Sequence, residues 1–134
     1  MGFAQHENLI LIKSTMSVEG REPIDFPILD AESISAKIPE GSKYRNTLYF
    51  KVQNKPLKNF RYHQDVKKAG LTVKTRDLEF GDFEPSDEIY SVEYPEDETP
   101  SGFFSRGHFS AYSSYYAGDE LLISHQWSLE ICKK

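Results

Sequence analysis

The chain has 134 residues, of which 38% are hydrophobic, 13% aromatic and 28% charged. This length fits one domain whose core needs no disulfide or metal to hold it. The net charge of -5 argues against a general nucleic-acid binder, because such proteins need a basic face. The single cysteine, Cys132, cannot form an internal disulfide, which indicates a reducing compartment. With no secretory signal and no long apolar run, the sequence predicts a cytoplasmic protein without a membrane span.

Residues 1–7 show no periodicity, and we interpret them as a disordered lead-in or an artificial remnant ahead of one domain at residues 8–134. Prolines at positions 23, 27 and 39 exclude a long helix in the first third of the chain. Short strands are predicted there instead, at residues 9–14, 24–29 and 33–38. A strand with clear alternation follows at residues 44–52.

Alternation continues in the second half, where Phe60, Tyr62, Gln64 and Val66 share one face of a strand. Residues 65–69 are also compatible with a helical turn. Further strands are predicted at residues 71–75, 89–94, 103–116 and 121–131.

The last strand points His125, Trp127, Leu129 and Ile131 to one side. Such a face has to be covered by an opposing apolar sheet. About eight short strands without a convincing helix therefore predict an all-β, immunoglobulin-like β-sandwich.

Charge is organised in two adjoining blocks. Residues 51–76 hold eight basic residues and one acidic residue, whereas residues 77–98 hold ten acidic residues and no basic one. Isolated charges are usually solvated surface. An anionic band of this density is tolerated more easily when a basic partner docks on it, so both interpretations stay open.

The sequence offers no catalytic motif. It lacks G-x-S-x-G, a Gly-rich phosphate loop and H-E-x-x-H, and its four histidines are scattered without ligand spacing. We therefore predict a protein that is not an enzyme and needs no metal or cofactor. Nine Phe, eight Tyr and one Trp are mostly ordinary core, although a sandwich lined by bulky rings can also open into an apolar, lipid-binding cavity.

Three segments together resemble the Rho GDP-dissociation inhibitors in sequence and order: YHQDVKKAG at 62–70, ETPSGFFSRGHF at 98–109 and SHQWSLEICKK at 124–134. Glu40-Gly41 followed by Tyr44-Arg45, and the spacing from Gly81 to Pro85, fit the same pattern. The resemblance implies a monomeric sandwich with an apolar cavity between its sheets. This cavity would receive the geranylgeranyl chain of a Rho-family GTPase. The protein would thereby lift the GTPase off membranes and keep it soluble and GDP-bound, without inserting into the membrane itself.

Carried over by position, the family's lipid-lining residues correspond to Leu11, Tyr44, Phe104, Phe109 and Trp127. Four positions depart from the family pattern: Ala36 and Ala111 replace bulkier apolar residues, Pro56 an aliphatic one and His125 a tryptophan. The first three are kept as pocket positions. We further expect the Lys/Arg-rich tail of the GTPase to contact five acidic residues of this chain, Glu93, Glu96, Asp97, Glu98 and Asp119.

The family's N-terminal arm covers the GTPase switch regions, and at most seven residues precede the first strand here. The sequence therefore predicts lipid capture with weak inhibition of nucleotide release. The alternatives are a prenyl shuttle of the phosphodiesterase-delta type with wider cargo, an immunoglobulin-type interaction module with a solid core, and a lipid hydrolase. The hydrolase would need a buried nucleophile beside a His or Asp, which the sequence does not provide.

Overall fold

The computed structural model describes residues 5–102 and 105–133. These residues form ten strands: β1 Leu9–Val18, β2 Ile24–Pro27, β3 Ser35–Pro39, β4 Lys43–Val52, β5 Leu57–Lys68, β6 Leu71–Phe83, β7 Tyr90–Glu93, β8 Asp97–Glu98, β9 Gly107–Ala117 and β10 Glu120–Cys132. In the long strands buried and more exposed residues alternate, as expected when one face of each strand covers a core.

The strands make two sheets that pack face to face. The first sheet has the order β2-β1-β4-β7, with β8 also paired to β4, and the second has the order β3-β10-β9-β5-β6. Neighbours are antiparallel except β3, which pairs in parallel with β10. The predicted all-β sandwich is thereby confirmed.

The space between the sheets holds two hydrophobic clusters, one at each end of the sandwich. One is packed with aromatic rings around Phe50, Phe60 and Tyr115. The other surrounds Met16, Val66, Phe109 and Leu129 and has small Ala36 and Ala111 among its members. Aromatic volume is therefore concentrated at one end, and the second end is less completely filled.

Three strands differ from their predicted bounds by four or more residues, and the short strand β8 was not predicted; β1, predicted at residues 9–14, continues to Val18. The predicted short strand at 71–75 continues as β6 to Phe83. Its full length was not predicted because the half-buried positions include charged Lys74 and Arg76, which mask the alternation of apolar and polar residues. Of the strand predicted at 103–116, residues 103 and 104 lie outside the described residues, and β9 is observed at Gly107–Ala117; the φ of Gly107, 120°, favours glycine. Residues 65–69, compatible with a helical turn, belong to β5 as far as Lys68.

The described part of the predicted lead-in contacts the domain. The Gln5 side chain accepts a hydrogen bond from the Leu11 amide and donates one to the Leu11 carbonyl, at 2.9 and 3.0 Å. The Glu7 carbonyl accepts a hydrogen bond from the Gln53 side chain. Residues 5–7 therefore pack on the first sheet. Across the described ranges, none of the residues forms a helix long and apolar enough to cross a membrane.

Candidate functional site

A cavity of about 440 Å³ lies between the two sheets at the end that contains the second cluster. The first sheet contributes Met16 and Tyr44, and the second sheet covers them with a larger apolar wall: Ile38, Val66, Phe109, Trp127, Leu129 and Ile131. This volume falls in the range of small-molecule sites, roughly 300–1,000 Å³. The sandwich is thus not solid at this end.

The mouth of the cavity is marked by lining residues that remain exposed or half-buried. Val73 of β6, Glu98 of β8 and Pro100 are exposed, whereas Lys68 and Lys74 are half-buried. Deeper lining residues such as Met16 are buried. The cavity therefore runs from an opening with mixed charges into an apolar interior.

A smaller space of about 50 Å³ continues the cavity inward beyond Met16, Asn46 and Trp127, which line both spaces. Its further lining is more polar and includes Ser14, Tyr62, Ser113, Tyr94, Tyr115 and His125. The Asn46 Oδ1 atom is buried and has no hydrogen-bond partner among the described residues. An apolar ligand is thus favoured in the outer cavity more than in this inner space.

A buried hydrogen-bond network fixes Trp127 in the cavity wall. The Trp127 Nε1 donates to Ser113 Oγ at 2.9 Å, and Ser113 Oγ also bonds the Tyr62 hydroxyl at 2.7 Å. Tyr62 in turn donates to Gln64 Oε1 at 3.1 Å. Burial raises the pKa of Tyr62 to about 12, so its hydroxyl stays neutral at physiological pH. The network holds the indole in one orientation beside the cavity.

An ion-pair cluster lies beside the mouth. Asp97 pairs with Lys74 and, at 3.5 Å, with Arg76, and it accepts a hydrogen bond from the Tyr44 hydroxyl at 3.2 Å. Burial acts to raise the pKa of Asp97, but the hydrogen bond from Lys74 and the neighbouring cations outweigh it and hold the pKa below its usual value. Burial also raises the pKa of Tyr44, and the Asp97 charge adds to that shift.

The described part of the segment between β8 and β9 is tied to the β3–β4 turn. Glu40 accepts two hydrogen bonds from the Arg106 guanidinium, at 2.8 and 3.0 Å. Buried Thr99 accepts from the Ser42 amide and donates to the Pro39 carbonyl. Because Thr99, Pro100 and Ser105 line the cavity, these contacts hold one side of it in place. Arg106 thus has a structural partner in Glu40.

The predicted pocket residues do not all come together. Tyr44, Phe109 and Trp127 line the outer cavity, and Ala36 lines the inner space. Ala111 is fully buried in the same cluster without lining either space. Leu11 lies in the aromatic cluster at the other end, and Pro56 is exposed just before β5. Phe104 lies outside the described residues.

The predicted acidic contact residues are divided by their surroundings. Glu98 lines the mouth, whereas Glu93 bonds Arg45 at 2.8 Å and Glu96 lies 3.8 Å from the same guanidinium. Asp97 is held in the ion-pair cluster. Asp119 sits in the β9–β10 turn, and the pairing of Phe109 with Leu129 places the cavity at the other end of this hairpin. The acidic block is thus partly neutralised by cations from other parts of the chain.

An open cleft of about 710 Å³ lies beside the acidic block, between the β6 and β7 edges of the two sheets. Asp77, Glu79 and Glu93 line it together with Arg61. Within the described ranges, no group of three or more His, Cys, Asp or Glu residues is arranged to bind a metal.

Several residues that line the cavity were not expected there from the sequence, namely Met16, Ile38, Gln64, Val66, Val73, Leu129 and Ile131. The inward positions of Gln64, Val66, Leu129 and Ile131 were available from the alternation of β5 and β10. Their position beside an open space could not be predicted, because strand periodicity shows which side chains face the core but not where along the sandwich they lie.

A sequence profile of the family described as RHO protein GDP dissociation inhibitor matches residues 2–134. The chain belongs to the Rho GDP-dissociation inhibitor family. The family is one of regulatory inhibitors and not of enzymes.

Two yeast relatives within the family are both named Rho GDP-dissociation inhibitor. The one from Schizosaccharomyces pombe is 29% identical over 133 residues, covering 93% of this chain and 64% of the relative. The one from Saccharomyces cerevisiae is 37% identical over 122 residues, covering 84% and 60%. The chain therefore spans somewhat less than two thirds of the length of these relatives.

Solved structures show the same fold at low sequence identity. The C-terminal domain of wzt superposes with a TM-score of 0.61 at 12% identity, covering 98% of this chain and 77% of that one. A Niemann-Pick type C2 protein from the Japanese carpenter ant gives a TM-score of 0.54 at 9% identity, covering 98% and 100%. Together with the family assignment, these similarities establish the immunoglobulin-like sandwich.

His125, where the family was expected to have a tryptophan, should make stability depend on pH. Burial lowers the pKa of His125 to about 4, and its ring stacks on Tyr115 with centroids 5.8 Å apart. The unfolded chain binds this proton more tightly, with a pKa near 6.5. The free energy of unfolding should therefore be fully retained above pH 6.5 and fall by up to about 3 kcal/mol as the pH decreases toward 4.

Urea denaturation of the wild type and of His125→Phe between pH 4 and 7.5 checks this expectation. The variant should lose the His125 part of the pH dependence. His63→Gln serves as a control of opposite sign, because its hydrogen bond with Asp77 raises the pKa of His63, so that stability from this residue is lost as the pH rises. Identical pH profiles for His125→Phe and the wild type would contradict the buried neutral state of His125.

Proposed function

We propose that this protein binds the prenylated C-terminus of a Rho-family GTPase in the outer cavity. The observation that carries the proposal is the open apolar space of about 440 Å³ beside Trp127, in a chain of the Rho GDP-dissociation inhibitor family. Enclosing the isoprenoid removes from water the group that holds the GTPase on membranes. The protein then acts in the cytoplasm as a monomer, keeping its GTPase soluble and GDP-bound.

The energetics favour an isoprenoid as the ligand. Burial contributes roughly 0.8 kcal/mol per carbon unit, so a twenty-carbon chain offers on the order of 10 kcal/mol before the costs of ordering it. Met16, Ile38, Val66 and Leu129 supply an aliphatic lining, and the fixed indole of Trp127 adds a rigid aromatic surface. A branched hydrocarbon matches this lining better than a polar ligand does.

A titration with a geranylgeranylated C-terminal peptide tests the proposal directly. Trp127 is the single tryptophan of the chain, so its fluorescence reports the occupancy of the cavity without competing signals. The emission should shift on addition of the prenylated peptide and remain constant with the same peptide lacking the lipid. A farnesylated peptide measures the preference for chain length. An unchanged spectrum at saturating prenylated peptide would overturn the assignment.

The polybasic segment that precedes the prenylated cysteine is proposed to run along the acidic side of the sandwich. Glu98 lies at the cavity mouth, and the cleft with Asp77, Glu79 and Glu93 lies at the same open edge between the sheets. A tail whose lipid occupies the cavity would leave through this region. Attraction between the tail and these carboxylates would raise the rate of association.

Charge reversal should therefore slow association and weaken its salt dependence. We expect Glu79→Lys combined with Glu98→Lys to lower the association rate of a prenylated polybasic peptide by several-fold at low salt, and less at physiological ionic strength, where screening acts over about 8 Å. Stopped-flow fluorescence of Trp127 measures the rate. Asp119→Lys combined with Glu120→Lys makes the same change in net charge at the opposite end of the β9–β10 hairpin and is the matched control. If the association rates of the double variant and the wild type depended equally on salt concentration, the acidic side would be ordinary solvated surface.

A further inference from the structure

An unpaired polar atom lies at the boundary between the outer cavity and the inner space. Asn46 occupies an inward position of β4, between Tyr44, which lines the outer cavity, and Leu48, which is buried in the aromatic cluster. Together with Met16 and Trp127, Asn46 lines both spaces. Its Oδ1 atom is buried and has no hydrogen-bond partner among the described residues. The passage from one space to the other is therefore polar at this point.

A hydrocarbon chain cannot satisfy this oxygen atom. The hydroxyl groups of Tyr62 and Ser113, which also line the inner space, bond each other at 2.7 Å. Met16, which pairs with Asn46 across β1 and β4, is apolar. Water that enters the ligand-free cavity can donate a hydrogen bond to Asn46 Oδ1. An apolar chain that reaches Asn46 displaces this water and leaves a buried acceptor unsatisfied, which weakens its binding.

The sizes of the two spaces match isoprenoids of different length. An apolar cavity of about 150 Å³ holds one benzene molecule, which corresponds to about 25 Å³ per carbon. At this packing a fifteen-carbon farnesyl chain needs about 375 Å³ and a twenty-carbon geranylgeranyl chain about 500 Å³. The outer cavity measures about 440 Å³ and the inner space about 50 Å³. The shorter chain thus fits in the outer cavity alone, whereas the longer chain has to fill both spaces.

We propose that Asn46 determines how strongly this protein discriminates between isoprenoids of different length. The fourth isoprene unit of a geranylgeranyl chain passes Asn46 and enters the inner space, whereas a farnesyl chain ends in the outer cavity. This inference rests on the proposed function and specifies its ligand more closely, because it makes the fifteen-carbon chain an accepted ligand beside the twenty-carbon chain.

The expected preference follows from two opposing effects. Burial of five further carbons would by itself raise the affinity by on the order of 1,000-fold. The unsatisfied oxygen atom of Asn46 and the ordering of a longer chain oppose this gain. We therefore expect the wild type to prefer a geranylgeranylated peptide over the farnesylated form of the same peptide by no more than about tenfold.

Titrations with both peptides test the proposal in the wild type and in Asn46→Leu, with Trp127 fluorescence as the signal. Leucine has a similar size and presents no acceptor to the fourth isoprene unit. The affinity of Asn46→Leu for the geranylgeranylated peptide should rise by about tenfold. Its affinity for the farnesylated peptide should stay within about twofold, because this chain does not enter the inner space. The preference for the longer chain should therefore increase to about 100-fold.

Met16→Leu is the matched control, because Met16 pairs with Asn46 and lines the same two spaces. It exchanges one apolar side chain for another of similar volume, so both affinities should stay within about twofold of the wild type. A merely structural role of Asn46 would change both affinities alike, whereas the proposal requires a change in their ratio. Urea denaturation verifies that each variant is folded, and the preference of the wild type tests the proposal without any variant.

Two results would overturn the role of Asn46. The first is a ratio of the two affinities that is the same in Asn46→Leu and in the wild type. The second is a wild-type preference for the geranylgeranylated peptide on the order of 1,000-fold, the full value expected from burial. Either result leaves the prenyl-binding function intact, since both require that the peptides bind. Absence of binding of both peptides to the wild type would instead refute the proposed function itself.

Discussion

Replacing Trp127 with Ala is expected to weaken binding of the geranylgeranylated peptide by on the order of 30-fold, because a large part of the aromatic wall is lost. The indole lines both the outer cavity and the inner space, so its removal joins them into one wider and more polar volume. The free energy of unfolding should also fall, by about 3 kcal/mol, because the half-buried ring packs against the second cluster. Calorimetric titration and urea denaturation measure the two effects.

Trp127→Phe separates the ring from its hydrogen bond. It keeps an aromatic surface in the wall and removes the donor to Ser113, whose hydroxyl still bonds Tyr62. We expect a smaller loss of affinity, within about fivefold, and a loss of stability of about 1 kcal/mol. Unchanged affinity in Trp127→Ala would show that the ligand does not touch the indole and would place the lipid elsewhere in the sandwich.

Replacing Phe50 with Ala should have the opposite balance of effects. Phe50 is fully buried at the aromatic end, with the rings of Phe60 and Phe83 at 5.0 and 5.1 Å and that of Tyr90 at 5.7 Å. Truncation leaves a cavity that these rings cannot fill, and we expect a loss of about 4 kcal/mol in the free energy of unfolding. The ligand affinity of the folded protein should stay within twofold of the wild type.

Chemical denaturation gives the stability of the Phe50 variant, and a titration at low temperature, where the chain is still folded, gives its affinity. Phe50→Leu should lose less stability and serves as the conservative control. An affinity loss in folded Phe50→Ala comparable to that of Trp127→Ala would contradict the separation of the two clusters, since it would mean that the packed end sets the shape of the cavity.

The two ends of the sandwich have different roles. The aromatic rings at one end pack the two sheets against each other, and the other end tolerates an open space because the first end supplies the stability. The Glu40–Arg106 contacts and the buried Thr99 then keep one wall of that space in place. Stability and ligand binding are therefore carried largely by different residues of one small domain.

Much of the architecture could be predicted from sequence. Strict alternation in β4, β5 and β10 specified which face of each strand is buried, including the inward positions of Gln64, Val66 and Trp127. The resemblance of three segments specified the family, which the profile match over residues 2–134 confirms. These features are local or linear in the chain, and a single sequence records them directly.

The position of the cavity was decided only by tertiary packing. Leu11 and Trp127 are both inward residues, but the register of their strands brings one to the filled end and the other to the open end. Likewise, ten acidic residues in one block appear unneutralised in the sequence, whereas folding brings Arg45 to Glu93 and Lys74 to Asp97. Periodicity identifies the buried face of each strand, but only the packing of two sheets determines which side chains meet across the space and where that space stays empty.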